Sequence, residues 1–396
     1  MAPVPAHRHP GGAAVNPWDT DERRGLRETA RRFTENEILP HQDEWERAGA
    51  LPRSLHEKAG ALGLLGAALP TDVGGGGGDL IDAAVIAEEM HHAGVSGGTF
   101  ASLFTCGIAV PHMAAAGDAA QIERWVKPTL AGRKIGSLAI TEPGGGSDVG
   151  HLRTRADRDG DHYVVNGAKT FITSGCRADY VVTAVRTGDD GAGGVSLLVV
   201  EKGSPGFTVS RKLEKMGWHA SDTAELAFTD VRVPAENLVG PENSGFLQIA
   251  QAFLSERLSL AVQAYAGAQR CLDLAEQWCR DRETFGRALI TRQSVQNTLT
   301  EMARKIDVAR VYARRLAERA VAGEQDLTVE VCFAKNTAVE AGEWVAHQAL
   351  QLFGGLGYMR ESEVERQYRD MRILGIGGGT TEIMTGLAAN RLGYRA

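Results

Sequence analysis

The strongest constraint on the fold is that the chain changes its apolar pattern twice. Residues 18–130 place apolar side chains at helical spacing, residues 134–240 carry short β-branched segments separated by turn dipeptides, and helical spacing returns from residue 243 onward. A doubly wound α/β sheet would instead alternate strands and helices along its whole length. The order therefore predicts a helical domain, then a β domain, then a second helical domain.

Turn dipeptides in the β zone indicate where strands reverse. Asp159-Gly160 and Asn166-Gly167 are both predicted to be hairpin turns, because these residue pairs accept the positive φ angles of tight two-residue loops. Short strands at this regular spacing predict an antiparallel barrel or sandwich. In the last zone, residues 246–280 and residues 294–322 are each predicted to form one long helix.

Composition argues against several classes of function. The formal charge of −7 is spread over both signs without a block of like charges, so a nucleic-acid partner is not expected. The five cysteines are scattered without a C-x-x-C pair, which argues against a disulfide framework or a zinc site and predicts a cytoplasmic protein. No apolar stretch approaches the roughly 20 residues that span a bilayer, and residues 1–16 are predicted to be a disordered tail.

One segment matches the G-x-S-x-G pattern of serine hydrolases, with Ser96 at its centre. That pattern works only on a sharp turn between a strand and a helix. Here the preceding residues have helical spacing up to about His92. We therefore predict a loop between two helices rather than a nucleophile.

Two glycine-rich segments could approach a ligand closely. Residues 138–148 have the pattern of a strand that ends in a polar turn with hydroxyls and free N–H groups, which suits a cofactor but equally suits a plain turn. Residues 375–382 lead into the last helix, where N–H groups favour an anion or a carbonyl oxygen, although a simple capped helix start fits as well. The glycine spacing of the second segment does not match the dinucleotide-binding fingerprint.

Glu256 is the most unusual residue of the predicted long helix. Ile249, Phe253, Glu256 and Leu260 fall on one helical face, so a carboxylate interrupts an apolar stripe. Burial would raise its pKa toward neutrality, as a general base for a weakly acidic C–H requires. A glutamate at the solvent edge of the stripe is the second interpretation, and the spacing alone leaves both open.

Taken together, five groups of segments resemble the acyl-CoA dehydrogenase family, over about residues 18–395. The segments are residues 139–148, residues 171–175, residues 222–226 with 231–237, residues 282–286 with Gln293, and residues 351–358. The resemblance implies an α+β fold with an N-terminal helical domain (residues 17–133), a middle antiparallel β-barrel domain (134–242) and a C-terminal four-helix bundle (243–396). It further implies non-covalently bound FAD, an acyl-CoA substrate, a homotetramer, and an electron-transferring flavoprotein as electron acceptor.

The resemblance also implies roles for individual residues. Thr141 would bond to the flavin ring, Thr173 would lie near its reactive nitrogen, and Phe171 would pack against the ring. Ser147 would hold the CoA portion as well as the cofactor, and Arg257 would contact substrate. The remaining residues implied to bind the cofactor, partly from a neighbouring subunit, are Leu138, Ile140, Arg282, Phe285, Gln293, Gln351, Gly354, Gly355, Thr380 and Glu382.

The chain departs from the family pattern at the catalytic base. Many members carry this glutamate in a Tyr-Glu-Gly-Thr segment before the last helix, where the present chain has Gly378. A long-chain and isovaleryl-type subset instead places the base on the long helix immediately before an arginine, which is the position of Glu256. The resemblance then implies that Glu256 removes the α-proton, and that the Gly378 N–H with a ribityl hydroxyl of FAD polarises the thioester carbonyl.

The predicted function is FAD-dependent oxidation of an acyl-CoA to the trans-2-enoyl-CoA. A second departure is Leu254, where many relatives have an aspartate that meets CoA, so an acyl-carrier-protein thioester stays a possible substrate. Two competing functions are a flavin monooxygenase or N-oxygenase on the same fold, and a flavin-free binding or scaffold protein. Retention of Glu256 argues against the oxygenase, and the complete set of cofactor-matching segments argues against the scaffold.

Overall fold

A computed structural model describes residues 16–394 of the chain, so nearly all of the predicted disordered tail lies outside the described residues. The N-terminal region is helical, as predicted. Its helices are α1 (Asp21–Phe33), α2 (Gln42–Ala48), α3 (Arg53–Ala61), α4 (Leu80–Ala93), α5 (Gly97–Leu103), α6 (Cys106–Ala116), α7 (Ala119–Gln121) and α8 (Lys127–Leu130). A π-helical segment extends α1 to Ile38, and a second, Ile122–Val126, joins α7 to α8.

Helix α4 shows how local sequence sets the element boundaries. The Asp79 carboxylate accepts the Ile81 N–H at 2.7 Å, and the Asp82 carboxylate accepts the Asp79 N–H at 2.8 Å, which forms a reciprocal capping box. At the other end Gly94 takes the left-handed φ of 104° that closes a helix. This helix packs against α1 and the long helix of the last region.

One stretch of the described residues, the 20-residue Gly97–Ala116, is long and apolar enough to pass as a membrane span. We expected no apolar stretch near 20 residues, and by length and composition this segment is such a stretch. In the structure the stretch is divided into α5 and α6, and 56% of its most apolar window is buried inside the protein. It has the character of core helices.

The middle region is a seven-stranded sheet. Its strands are β1 (Gly136–Ala139), β2 (Arg155–Asp159), β3 (His162–Thr173), β4 (Tyr180–Arg186), β5 (Val195–Glu201), β6 (Phe207–Lys212) and β7 (Thr223–Pro234). The order is β1-β4-β2-β3-β7-β6, with β5 paired to β4. The predicted antiparallel arrangement holds for β2-β3-β7-β6 and β4-β5, but β1 runs parallel to β4, and β2 meets β4 in a single parallel pair.

The two predicted hairpin dipeptides have different outcomes. Asp159-Gly160 lies in the tight β2–β3 turn, as predicted. Asn166-Gly167 lies inside β3, where the register with β7 shifts between Val165 and Gly167, so the hairpin prediction is wrong. A Cβ at Gly167 would approach the Thr154 Oγ1 to 2.6 Å, and the glycine therefore serves a bulge in a crowded strand.

The C-terminal region consists of long helices, as predicted. Its elements are α9 (Gly245–Asp281), the short hairpin strands β8 (Glu283–Thr284) and β9 (Arg287–Ala288), α10 (Gln293–Val321), α11 (Thr328–Phe353), α12 (Glu363–Met371) and α13 (Thr381–Arg391). The two predicted long helices match α9 and α10 to within one residue at each end.

Small residues let α9 pack closely against α10, α11 and the N-terminal α4. Ala261, Ala264 and Ala268 of α9 are fully buried. One hydrophobic core runs through both helical regions and reaches the β4–β5 face, and a second core fills the β domain. The middle of α9 is thereby held between the two helical regions, and Glu256 lies in the N-terminal half of this helix.

Candidate active site

The two positions at which the family could place its base lie next to each other. A Cβ built on Gly378 would lie 3.3 Å from the Glu256 Oε1 and 2.5 Å from the Leu260 Cδ1. Gly378 has a φ of +63°, which glycine accepts without strain. A carboxylate supplied by α9 therefore occupies the space in front of a turn that carries no side chain of its own.

Glu256 has the electrostatics of a poised base. The residue keeps partial solvent contact, but protein atoms enclose its carboxylate, and this burial raises its pKa above the ordinary value. The positive charges of Arg257 and Lys335 act in the opposite direction. No described residue donates a hydrogen bond to this carboxylate, so its oxygens are free to accept a proton.

Arg257 contacts the same glycine turn from the helix side. Its Nε donates to the Gly378 carbonyl oxygen at 3.3 Å, and its Cζ lies 4.2 Å from the centre of the Phe253 ring. The residue is only 6% exposed. The arginine that was predicted to bind substrate therefore contacts the backbone of the glycine turn, and its contact with substrate stays a prediction.

Lys335 of α11 is a functional candidate that the sequence analysis missed. It is 1% exposed, and its Nζ donates to the Gly377 carbonyl at 2.6 Å and also to the Gly379 carbonyl. Burial, followed by the like charge of Arg257, lowers its pKa to about 8, whereas Glu256 acts to raise it. The signal was available: Lys335 interrupts a buried stripe formed by Val331, Ala338 and Gly342.

A second group of predicted residues meets at one end of the β domain. Leu138 lies in β1, and Ile140 and Thr141 follow it. The Thr170 N–H donates to the Thr141 carbonyl at 2.9 Å, and the Ser137 hydroxyl donates to the Thr173 carbonyl at 2.6 Å. These bonds hold the end of β1 beside the end of β3, which carries Phe171 and Thr173.

Phe171 has an unusual conformation for a large side chain. Its φ is +59°, a region that bulky residues rarely adopt, and 67% of the residue is exposed. A strained backbone that presents an aromatic ring to solvent indicates a functional position. With Thr141 and Thr173 on the adjoining strand ends, the segment offers an aromatic face and hydroxyl-bearing side chains, which are the chemical groups that suit a flavin ring.

A buried ion pair that the sequence analysis also missed supports this end of the β domain. Lys169 is fully buried, and its Nζ donates to the Ile140 carbonyl and to Glu142 Oε1, each at 2.9 Å. Glu142 also accepts the Arg153 and Thr154 N–H groups at 2.7 and 2.8 Å. Burial alone would raise the pKa of Glu142, but Lys169 and these donors lower it.

Ser147 lies on the exposed turn that follows this pair. The turn is open, because a Cβ at Gly144 or Gly145 would meet nothing within 4 Å. The structure therefore places Ser147 in solvent near the Thr141 segment, where a ligand can reach it. Its predicted contacts to CoA and cofactor stay predictions.

A third group of predicted residues lies on the surface where α9 and α11 end. Trp278 stacks on Phe353 with ring centres 5.0 Å apart, and the Arg282 Cζ is 5.9 Å from the Trp278 ring centre. Phe285 is 97% exposed at a φ of +51°, and Arg292, next to Gln293, lies 5.5 Å from its ring. All the predicted residues of this group are exposed: Arg282, Phe285, Gln293, Gln351, Gly354 and Gly355.

Thr380 and Glu382 lie where the glycine turn enters α13. The Thr380 hydroxyl accepts the Ile383 N–H at 3.3 Å and caps the helix. The capped helix start that the sequence also allowed is therefore present. Glu382 is exposed, and its cofactor contact stays a prediction.

The surroundings of Ser96 are not those of a catalytic nucleophile. It caps α5, is fully buried, and its hydroxyl lies 2.7 Å from Glu46 Oε1 and 3.0 Å from Thr99 Oγ1. Helix α4, not a strand, precedes it. The prediction of a loop between helices is confirmed.

Comparison with known proteins agrees with this arrangement. Models of the acyl-CoA dehydrogenase N-terminal, middle and C-terminal domains match residues 20–133, 137–231 and 243–393. The mitochondrial long-chain specific acyl-CoA dehydrogenase of Rattus norvegicus is 40% identical over 370 residues, covering 93% of this chain and 85% of that protein. A Mycobacterium smegmatis crystal structure with a provisional acyl-CoA dehydrogenase assignment is 72% identical with a TM-score of 0.96, covering 96% of this chain and all of that one.

Two further solved structures are also similar to the chain. The FAD complex of PigA is 25% identical with a TM-score of 0.91, and covers 95% of this chain and 99% of that chain. A chain in the structure described as the electron transferring flavoprotein of Acidaminococcus fermentans is 32% identical with a TM-score of 0.91, covering 96% and 99%. The present chain belongs to the acyl-CoA dehydrogenase family and is an FAD-dependent enzyme that oxidises acyl-CoA thioesters.

Proposed function

We propose that Glu256 is the catalytic base that removes the α-proton of an acyl-CoA as the trans-2-enoyl thioester forms. The observation that carries this proposal is the 3.3 Å between the Glu256 Oε1 and a Cβ placed on Gly378. The α C–H bond breaks, its proton passes to the Glu256 carboxylate, and its electron pair forms the double bond as the β C–H bond breaks. FAD, when bound, supplies the acceptor for the hydride that leaves the β carbon.

The environment of Glu256 fits this task. A general base works best when its pKa lies near the working pH, and burial moves the pKa of Glu256 in that direction. The carboxylate has no described hydrogen-bond donor to hold its charge, so it can turn toward a substrate carbon. Placement of the base on α9 supports membership in the long-chain and isovaleryl-type subset.

The Gly378 N–H is proposed to donate to the thioester carbonyl, on which negative charge develops as the α-proton leaves. Arg257 contributes by holding the Gly378 carbonyl at 3.3 Å, on the opposite end of the same residue. We propose that Arg257 therefore orders the turn that receives the substrate. Gly378 can fill the donor role because that role needs only its backbone.

The FAD site is proposed to combine two surfaces. Phe171, Thr141 and Thr173 would hold the ring, and the exposed group around Phe285 would hold the adenosine end of a cofactor bound mainly by another subunit. An aromatic side chain that is 97% exposed supports a partner surface. We propose a homotetramer on this basis.

The thiol carrier is proposed to be CoA, with an electron-transferring flavoprotein as acceptor. Leu254 packs against the helical core, so the position where many relatives have an aspartate carries no charge here. A carrier-protein thioester is the competing substrate for the test below. A cytoplasmic location is supported by the five free cysteines, four of them buried.

The test is anaerobic mixing of the FAD-loaded protein with saturated acyl-CoAs of short, long and branched chains, recording the visible flavin absorbance. Prompt bleaching by one class is expected. Glu256→Gln should slow bleaching by about 10³-fold while FAD stays bound, and Glu276→Gln, on the exposed end of the same helix, should match wild type. Near wild-type bleaching by Glu256→Gln would refute the assignment of the base.

If only a carrier-protein thioester bleaches the flavin, the proposed carrier is wrong and the proposed chemistry stands. Rapid oxygen consumption without enoyl product would instead favour the oxygenase.

A further inference from the structure

We propose that Lys335 is a positioning residue that fixes the Gly377–Gly378 peptide so that the Gly378 N–H faces the substrate carbonyl. The inference rests on the proposed function of Glu256 and Gly378. Lys335 is remote in sequence, lies on α11, and is not a residue to which the family resemblance gave a role. Its geometry supports the assignment in three steps.

The first step is the direction of the peptide. Among the described residues, the Lys335 Nζ donates only to the carbonyls of Gly377, at 2.6 Å, and Gly379. In a trans peptide the N–H points away from the C=O, and the described residues contain no cis peptide bond. The Gly378 N–H therefore points away from Lys335.

The second step is that the carbonyls of this turn depend on side chains from two helices for their orientation. Gly378 and Gly379 have φ values of +63° and +96°, and a run of three glycines has the largest backbone freedom of any sequence. Arg257 holds the carbonyl between the two that Lys335 holds. Three successive carbonyls are thus fixed by two cations, one from α9 and one from α11.

The third step is the cost of the arrangement. An ammonium group that is 1% exposed has lost its hydration, and no described carboxylate lies within 4 Å of it. A buried charge without an ionic partner is expensive, and a leucine or methionine would fill an alanine-rich helix interface at lower cost. The ammonium is explained by the two carbonyls that it orients and by its charge near Glu256.

The test compares Lys335→Met with Lys335→Gln, whose side-chain amide can still donate, in the FAD-loaded enzyme. Lys335→Met is expected to lower the rate of flavin reduction about 10- to 100-fold, with less than a threefold change in the dissociation constant of the acyl-CoA. Lys335→Gln should recover part of the rate. Lys212→Met is the matched control, because Lys212 donates to the Gly49 carbonyl at 2.9 Å on the surface, far from these residues in the chain.

Two readouts separate positioning from a loss of stability. The carbonyl stretching frequency of bound trans-2-enoyl-CoA, measured by infrared difference spectroscopy with a carbon-13 label, should move back toward its free value in Lys335→Met. Hydrogen exchange of the peptide covering residues 374–383 should become faster without substrate, whereas peptides of the β domain should not change.

An unchanged rate, carbonyl frequency or exchange in folded Lys335→Met would overturn the inference. If that variant does not fold, the same criteria apply to Lys335→Gln. Suppose that acyl-CoA bleaches the wild-type flavin but not the flavin of Glu256→Gln. A Lys335→Met variant that then behaves like wild type refutes the role of Lys335 and leaves the role of Glu256 standing. If the carbonyl stretching frequency of enoyl-CoA does not shift on binding to wild type, the proposed role of the Gly378 N–H is refuted. The proposed role of Lys335 is then refuted as well, whatever its variants do.

Discussion

Two buried lysines hold the two glycine-rich turns of the candidate active site in different ways. Lys169 and Lys335 are 0% and 1% exposed, and burial lowers the pKa of each to about 8. Lys169 donates to one backbone carbonyl beside a turn, and Lys335 donates to two. Lys169 also has a carboxylate partner, Glu142, at 2.9 Å, whereas Lys335 has none within 4 Å among the described residues.

The two lysines differ in whether a nearby carboxylate remains free to accept a proton. In the Lys169–Glu142 pair the two charges neutralise each other, and the carboxylate accepts hydrogen bonds from the ammonium and from two backbone N–H groups. At the second turn the nearest carboxylate to act on Lys335 is Glu256, and among the described residues it has no ionic partner. An ion pair there would occupy the Glu256 oxygen that is proposed to take up the proton, whereas the bonds of Lys335 to carbonyls leave it open.

The largest expected effect on stability comes from breaking the Lys169–Glu142 ion pair. Lys169→Met leaves Glu142 as a half-buried carboxylate without its ionic partner, held only by two backbone N–H groups, and should lower the free energy of unfolding by about 3–5 kcal/mol. Lys335→Met leaves two carbonyls without a donor but no orphan charge, so a loss of about 1–3 kcal/mol is expected. Denaturant unfolding of both variants measures the difference. Equal losses would show that the two lysines are equivalent, and would end the comparison.

A double-mutant cycle sharpens the same contrast. Adding Glu142→Gln to Lys169→Met removes the orphan charge and should recover about 1–3 kcal/mol of the unfolding free energy. Adding Glu256→Gln to Lys335→Met should recover less, because these two groups share no hydrogen bond. The measurement is chemical denaturation of all single and double variants. A larger coupling energy for the second pair would contradict the description of Glu256 as unpaired.

The conformation of the second turn predicts a position-specific effect of alanine. Gly378→Ala would place a Cβ 2.5 Å from the Leu260 Cδ1 at a positive φ, and should cost about 1–3 kcal/mol and slow flavin reduction. Gly377→Ala is the control, since its Cβ would lie 3.6 Å from the Ile373 carbonyl at an ordinary φ. Thermal unfolding and single-turnover bleaching test both. Equal effects at the two positions would mean that the turn differs from the one described.

The smallest expected effect is a gain in stability when the Glu256 carboxylate is removed. Because burial raises the pKa of Glu256 above 4.5, the folded protein binds an extra proton between 4.5 and the raised value. Wild-type stability therefore falls as the pH rises through that window, and Glu256→Gln avoids the loss. The variant should melt higher by on the order of 1–2 °C above the window and like wild type below pH 4.5. A melting-temperature difference that shrinks as the pH rises would contradict the raised pKa.

Much of the fold could be predicted from sequence where a pattern repeats over many residues. The ends of α9 and α10 follow from 3.6-residue periodicity, and the β2–β3 turn follows from Asp159-Gly160. Asn166-Gly167 failed as a hairpin because a bulge in a long strand uses the same positive-φ chemistry as a turn. The parallel pairing of β1 with β4 is a non-local choice that no local dipeptide encodes.

The active site was predictable only where a residue breaks a pattern in its own segment. Glu256 interrupts an apolar stripe, which marked it as a candidate, although the spacing fitted a surface glutamate equally well and the family resemblance was needed to favour the base. Lys335 breaks a stripe too, but its partners lie 42 and 44 residues further along the chain, so nothing nearby indicated what it binds. The pairing of Lys169 with Glu142 likewise becomes visible only when β3 lies beside the turn after β1.

With the proposed roles, the placement of Glu256 on a long helix would divide the reaction between two elements of the chain. A base carried by the glycine turn would move whenever the turn moved, so proton removal and carbonyl polarisation would have to be adjusted together. In the proposed arrangement α9 would carry out proton removal and the Gly377–Gly379 turn would polarise the carbonyl. Substitutions in the turn that keep its bonds to Arg257 and Lys335 would then change the fit to the acyl group without displacing the proposed base.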